Sequence, residues 1–128
     1  MIIKGIGVDL IEVARIRKAV TRRREGFRRR IFTPGEWEYC LGGGKLRYAS
    51  LAARFAAKEA VFKALGCGWR QIPWREVEIL KGDGGQPLVL LGPKARELAR
   101  KRGIEEILLS LSHTRGYALA QAVAQGRE

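Results

Sequence analysis

Apolar and polar positions along the chain fall into short alternating runs and one long apolar run. Residues 2–8 alternate Ile and Val with Gly and Lys, the period-two pattern of a strand, and the run ends at Asp9. Residues 12–20 carry helical spacing and lead into a group of arginines. Thr33-Pro34-Gly35-Glu36 has the residues of a helix start: a threonine cap, a proline at the first position and a glutamate to close a capping box. That helix should stop before Gly42-Gly43-Gly44. A long helix is predicted from about 45 to 65, with Gly66 just past its end. Residues 77–80 and 87–91 flank a Gly- and Asp-rich turn and read as a hairpin. Pro93 opens another helix that Gly103 closes, with basic residues in its last turn as the helix dipole prefers. Residues 107–112 and 117–124 read as two strands around His113-Thr114-Arg115-Gly116. Helices and strands interspersed, with hairpins late in the chain, predict an α+β fold in a single domain over residues 1–128.

The long helix stands apart. Arg54-Phe55-Ala56-Ala57-Lys58-Glu59-Ala60-Val61-Phe62-Lys63-Ala64-Leu65-Gly66 is apolar or alanine nearly all round, yet it carries four charges. A helix without a broad polar face is normally buried, and buried charges are costly unless paired or bound to something. At ~100° per residue, Leu51, Phe55, Phe62 and Leu65 form one stripe with Lys58 in its middle. Glu59 and Lys63 share a neighbouring strip otherwise made of Ala52 and Ala56. Small residues around an acid and a base leave room for a ligand.

Charge sharpens this reading. The 128 residues hold 25 Lys and Arg against 13 Asp and Glu, a formal net charge of +12. Such a field attracts polyanions, among them nucleic acid, anionic membranes, phosphorylated small molecules and acidic proteins. Arg22, Arg23, Arg24, Arg28, Arg29 and Arg30 concentrate the excess within nine residues. No apolar run approaches the ~20 residues that span a bilayer, and the N-terminus lacks the pattern of a signal peptide. A cytoplasmic protein without membrane association is expected. Cys40 and Cys67 belong to no metal or redox motif and read as small apolar residues.

Three places hold polar groups where the pattern predicts burial or a strand end: Asp9, the Glu59/Lys63 pair with Lys58 and Arg54 nearby, and His113. Two carboxylates from different elements with few other ligands suit Mg²⁺, a hard ion that takes its remaining oxygens from water and substrate phosphates. A lysine beside them would offer a compact charge to phosphate. The plainer alternatives are an ordinary i,i+4 helix pair for Glu59 and Lys63, a turn residue for Asp9 and a solvent-facing His113. Phosphate-loop, HExxH and GxSxG motifs are absent, as is any evident nucleic-acid recognition motif. A basic nucleic-acid-binding module and a structural homo-oligomer remain as competing readings.

Two segments resemble the signatures of the 4′-phosphopantetheinyl transferase family. They are Gly5-Ile6-Gly7-Val8-Asp9-Leu10-Ile11-Glu12 and Phe55-Ala56-Ala57-Lys58-Glu59-Ala60-x-x-Lys63-Ala64-x-Gly66. Weaker likenesses follow in the family's order at Arg30-Ile31-Phe32-Thr33-Pro34-x-Glu36, Gly85-Gln86-Pro87 and Ser112-His113-Thr114. The length matches the family's short type. The resemblance implies transfer of the phosphopantetheine arm of coenzyme A to a serine of an apo acyl carrier protein, with release of 3′,5′-ADP. It implies Mg²⁺ held by Asp9 and Glu59, a catalytic Lys63 at the phosphates, and coenzyme A contacts from Arg54, Lys63, His113 and Thr114. Carrier proteins are acidic and helical, so Arg15 and, by proximity, Arg22, Arg24 and Arg28 are expected to meet the carrier. Lys58, on the apolar stripe, is expected to be structural or to serve a neighbouring subunit. The fold implied is a small antiparallel sheet packed around a long buried helix, assembled as a homotrimer with sites at the subunit interfaces.

Overall fold

The alanine-rich helix is the axis about which the other elements are arranged. In the computed structural model, which describes residues 1–128, the chain runs β1 (Ile2–Glu12), α1 (Val13–Ile31), α2 (Pro34–Cys40), β2 (Leu41–Gly42), β3 (Lys45–Leu46), α3 (Tyr48–Leu65), β4 (Val77–Lys81), β5 (Pro87–Leu91), α4 (Pro93–Lys101), β6 (Ile104–His113) and β7 (Tyr117–Gly126). β1, β7 and β6 form an antiparallel sheet in that order, while β2–β3 and β4–β5 are separate two-stranded ladders. The α+β expectation holds.

α3 is buried over most of its surface, with Leu51, Ala52, Ala53, Ala56, Ala57, Ala60, Val61, Phe62, Ala64 and Leu65 all enclosed and Lys63 left exposed. It ends at Gly66, whose φ of 78° closes the last turn. The sheet meets this helix with equally small residues: Ala118, Ala120, Ala122 and Ala124 of β7 are each fully buried. β1 comes closer still. A Cβ on Gly5 or Gly7 would overlap the carbonyl oxygens of Ala64 and Ala60, so only glycine lets this strand lie on the helix backbone. The predicted capping box of α2 is formed, with Thr33 and Glu36 exchanging side-chain and backbone hydrogen bonds.

Four boundaries differ from the sequence pattern. β1 continues past Asp9 to Glu12, because β7 pairs with it through Glu12↔Tyr117. α1 absorbs the whole arginine group and is interrupted only at Arg23 (φ −139°, ψ 50°). The long helix starts at Tyr48 rather than 45: Gly43 and Gly44, at φ 60° and 80°, turn the chain so that Lys45 and Leu46 pair with Leu41 and Gly42. β6 runs beyond both predicted ends and β7, which starts at Tyr117 as expected, runs beyond its C-terminal one, since each completes the other's ladder.

Candidate active site

Asp9 sits on β1 directly opposite Ala120, on the sheet face turned toward α3. Gly7, two residues earlier, packs against Ala60 and lies within 2.9 Å of Lys63 Cβ when a side chain is imagined there. This glycine contact draws β1 onto the turn of α3 that bears Glu59 and Lys63. Lys63 Nζ donates to the Val8 carbonyl at 2.8 Å and stands 3.6 Å from Asp9 Oδ1. The lysine thus spans to the strand. The ordinary i,i+4 pair with Glu59 is not the contact it forms.

Asp9 and Glu59 line one cavity of about 380 Å³ together with Leu10, Ile11, Arg15, Ile16, Ala19, Phe27 and Phe55. Burial pushes the Asp9 carboxyl above its ordinary range, against the opposing pull of Lys63. Burial also raises Glu59, and the charge of Asp9 raises it further. Two half-buried carboxylates, the charge of Asp9 hindering the ionisation of Glu59, with one partly exposed lysine between two acceptors, form a site short of positive charge. An added hard cation fits it. No cluster of three or more His, Cys, Asp or Glu side chains is gathered anywhere in the chain, so a metal here would complete its shell with water and substrate oxygens.

Glu59 also borders a second cavity of about 650 Å³, which continues past Phe27 and Phe55 to Trp69 and Trp74 and is rimmed by Arg22, Arg23 and Arg30. Arg15 and Arg22 are therefore where a partner approaching Glu59 would meet them. Arg24 and Arg28 line neither cavity, and their guanidinium groups lie over the Trp37 ring at 5.8 and 5.2 Å. Arg23 and Arg30, which the sequence did not single out, line the second cavity beside Arg22. Arg30 lies 4.7 Å over Trp69. Part of the charge run is therefore stacked on aromatic rings within the chain. The signal was present in the tryptophans, but only the fold pairs them with arginines.

Arg54 is buried, stacks 3.9 Å over Tyr39 and leaves its Nε without a hydrogen-bond partner. An orphaned guanidinium nitrogen of this kind is a ready contact for an anion. It lines neither cavity beside Glu59. His113 and Thr114 lie at the exposed end of β6, with His113 opposite Ala118 and Thr114 Oγ1 accepting from the Gly116 and Tyr117 amides. β7 separates them from β1, so one copy of the chain does not bring them to Asp9.

Lys58 has a different fate. Its Nζ meets Glu36 Oε1 at 2.9 Å and donates to the Trp74 and Val77 carbonyls at 3.1 and 2.5 Å, and neither charged side chain has any exposure. Glu36 in turn accepts from the Thr33 and Ile79 amides, both at 2.8 Å. The expectation of a structural lysine is met inside the chain itself. Glu36 was legible as a capping residue and not as this ion-pair partner.

The comparisons agree with the geometry. The sequence model of the 4′-phosphopantetheinyl transferase superfamily matches residues 5–122, a span that includes Asp9, Glu59, Lys63, His113 and Thr114. A holo-[acyl-carrier-protein] synthase of Desulforudis audaxviator is 50% identical over 124 residues, covering 97% of this chain and 94% of that protein. The crystal structure of holo-[acyl-carrier-protein] synthase from Neisseria meningitidis superposes with a TM-score of 0.87 at 35% identity, covering 97% of this chain and 99% of that one. The Helicobacter pylori holo-[acyl-carrier-protein] synthase, solved in complex with coenzyme A, gives a TM-score of 0.81 at 32% identity over 94% and 99% of the two chains. With both signature segments meeting at one cavity and the match running nearly end to end, this chain belongs to the 4′-phosphopantetheinyl transferase superfamily.

Proposed function

We propose that the chain is a Mg²⁺-dependent holo-[acyl-carrier-protein] synthase whose reaction centre is Asp9, Glu59 and Lys63. The observation that carries this is the convergence of two carboxylates from distant segments on one cavity, with Lys63 beside Asp9. Asp9 and Glu59 would hold Mg²⁺, which when bound offsets negative charge on the diphosphate of coenzyme A. The serine hydroxyl of the carrier attacks the phosphorus that bears the pantetheine, its proton passes to water, and the bond from that phosphorus to 3′,5′-ADP breaks. The nucleophile belongs to the partner, so this chain needs none. Lys63 turns its ammonium from the Val8 carbonyl to the departing phosphate. Arg54, with its unpartnered Nε, contributes a phosphate contact, and His113 and Thr114 line the coenzyme A site.

His113 and Thr114 reach the reaction centre only if copies of the chain combine. Ile6, Val8 and Leu10 of β1, Leu119 of β7 and Leu108 of β6 share the sheet face turned away from α3, and each is 42–63% exposed. A monomer rarely leaves such a patch open. A homotrimer closed through this face covers it and lets each subunit supply the wall its neighbour lacks. Carrier docking belongs to the arginine rim beside Glu59, where Arg15, Arg22, Arg23 and Arg30 suit an acidic helical partner. No helix is long and apolar enough to cross a membrane, and two free thiols suit the reducing cytoplasm.

Incubation with coenzyme A, Mg²⁺ and an apo carrier protein should raise the carrier's mass by one phosphopantetheine group, read by intact-mass spectrometry. An unchanged mass across several carriers would contradict the proposal. Light scattering should give three times the chain mass, and a monomer would remove the shared-site arrangement.

A further inference from the structure

The interface between α3 and the sheet has a property that bears on how the reaction centre is held. Ala52, Ala53, Ala56, Ala57, Ala60 and Ala64 of α3 are buried in the same core as Ala118, Ala120, Ala122 and Ala124 of β7, with Gly5 and Gly7 beside them. Methyl groups on methyl groups bury area without interlocking, so this contact says little about how far the helix is turned or slid. Yet Glu59 and Lys63 must face Asp9 to within a fraction of an ångström for the site to work.

Apart from the half-exposed Lys63, which donates to the Val8 carbonyl of β1, the side-chain hydrogen bonds of α3 come from its opposite side. Lys58 Nζ has three acceptors, on Glu36, Trp74 and Val77, drawn from α2, the turn before β4 and β4 itself. Glu36 is fixed by amides at Thr33 and Ile79. Trp74, one of the three, stacks on Phe55 at 5.1 Å and packs edge-on against Phe62 at 5.5 Å, and it walls the cavity that Glu59 borders.

We propose that the buried Glu36–Lys58 pair is a positioning unit: it sets the rotation and axial register of α3, and through them the meeting of Glu59 and Lys63 with Asp9. This rests on the reading of Asp9 and Glu59 as metal ligands. A buried ion pair is weak evidence for stability, and an apolar replacement is often neutral there, whereas fixing register is a role such pairs are known to fill.

The test is Lys58→Met/Glu36→Gln, which removes both charges and keeps the cap, with Val61→Ala as a packing control on the same helix. Each is measured for Mn²⁺ affinity by electron paramagnetic resonance and for kcat and KM per folded molecule. The double variant should lose about 10–100-fold in Mn²⁺ affinity and in kcat, with the KM for the carrier little changed. Val61→Ala should lose stability alone. Equal Mn²⁺ affinity and kcat in the double variant and the control would overturn the inference. If the double variant does not fold, Lys58→Arg, which keeps the charge pair and alters its geometry, carries the same comparison, with the same two outcomes. Failure of the wild type to bind Mn²⁺ or transfer the arm would refute the proposed function instead, so the two failures are distinct.

Discussion

Two lysines of α3, five residues apart, each meet an acid from another element, and the two meetings are opposites. Lys58 and Glu36 are closed off from water, and every hydrogen-bonding position the fold offers them is filled by a neighbour of fixed geometry. Lys63 and Asp9 are 51% and 19% exposed, 3.6 Å apart, with Glu59 beside them. The first arrangement has nothing left to bind. The second has two carboxylates, one ammonium and open volume, which is the condition of a site that waits for a cation and a phosphate. Residue type does not separate these roles. Saturation does.

The largest expected effect tests the closed pair. Lys58→Met strands the Glu36 carboxylate in the core and should cost about 3–5 kcal/mol in urea unfolding. Lys63→Met should cost at most about 1 kcal/mol, as expected for an exposed pair, and should lower turnover instead. Comparable stability losses at the two positions would erase the contrast. Next in size, Glu59→Gln should reduce kcat roughly 100-fold or more in the carrier-mass assay while the unfolding midpoint stays level or rises. Retained turnover would remove Glu59 from the metal site.

The glycine contact comes third. Gly7→Ala forces a methyl group into the Ala60 carbonyl, so stability should fall by about 1–3 kcal/mol and turnover with it, as β1 lifts Asp9 away from Glu59. Gly116→Ala, which meets nothing within 4 Å, is the neutral control.

The smallest effect is one of pH. Asp9 and Glu59 have folded-state values raised above 3.8 and 4.5, so the folded chain holds their protons more tightly than the unfolded one. Their contribution to stability is therefore present below those ordinary values and is lost as pH rises through the raised ones. Mg²⁺ should recover it. The metal should raise the melting temperature at neutral pH and do little below pH 3.8–4.5, where both groups carry protons. A pH-independent metal effect would point to ions bound elsewhere.

Much of the fold was legible because it rests on local chemistry. The capping box at Thr33 and Glu36, the Gly66 stop and the alternation in β1 each declare themselves within a few residues. The start of α3 was misplaced because the turn at Gly43 and Gly44 is decided by a ladder, not by helical spacing. At the site, residue types and spacing alone left two readings open, a pair of Mg²⁺ carboxylates or a lone aspartate beside an ordinary helix pair, and the resemblance to a family chose between them. The Glu36–Lys58 pair and the stacking of Arg24 and Arg28 on Trp37 were out of reach. Each depends on where the turn of a distant element comes to rest.

The most direct test is a crystal soaked with coenzyme A and Mn²⁺ and measured at a wavelength where manganese scatters anomalously. The account predicts one strong peak at about 2.0–2.2 Å from an oxygen of Asp9 and one of Glu59, touching the diphosphate. Bound coenzyme A with its diphosphate remote from those carboxylates, and no peak between them, would contradict it.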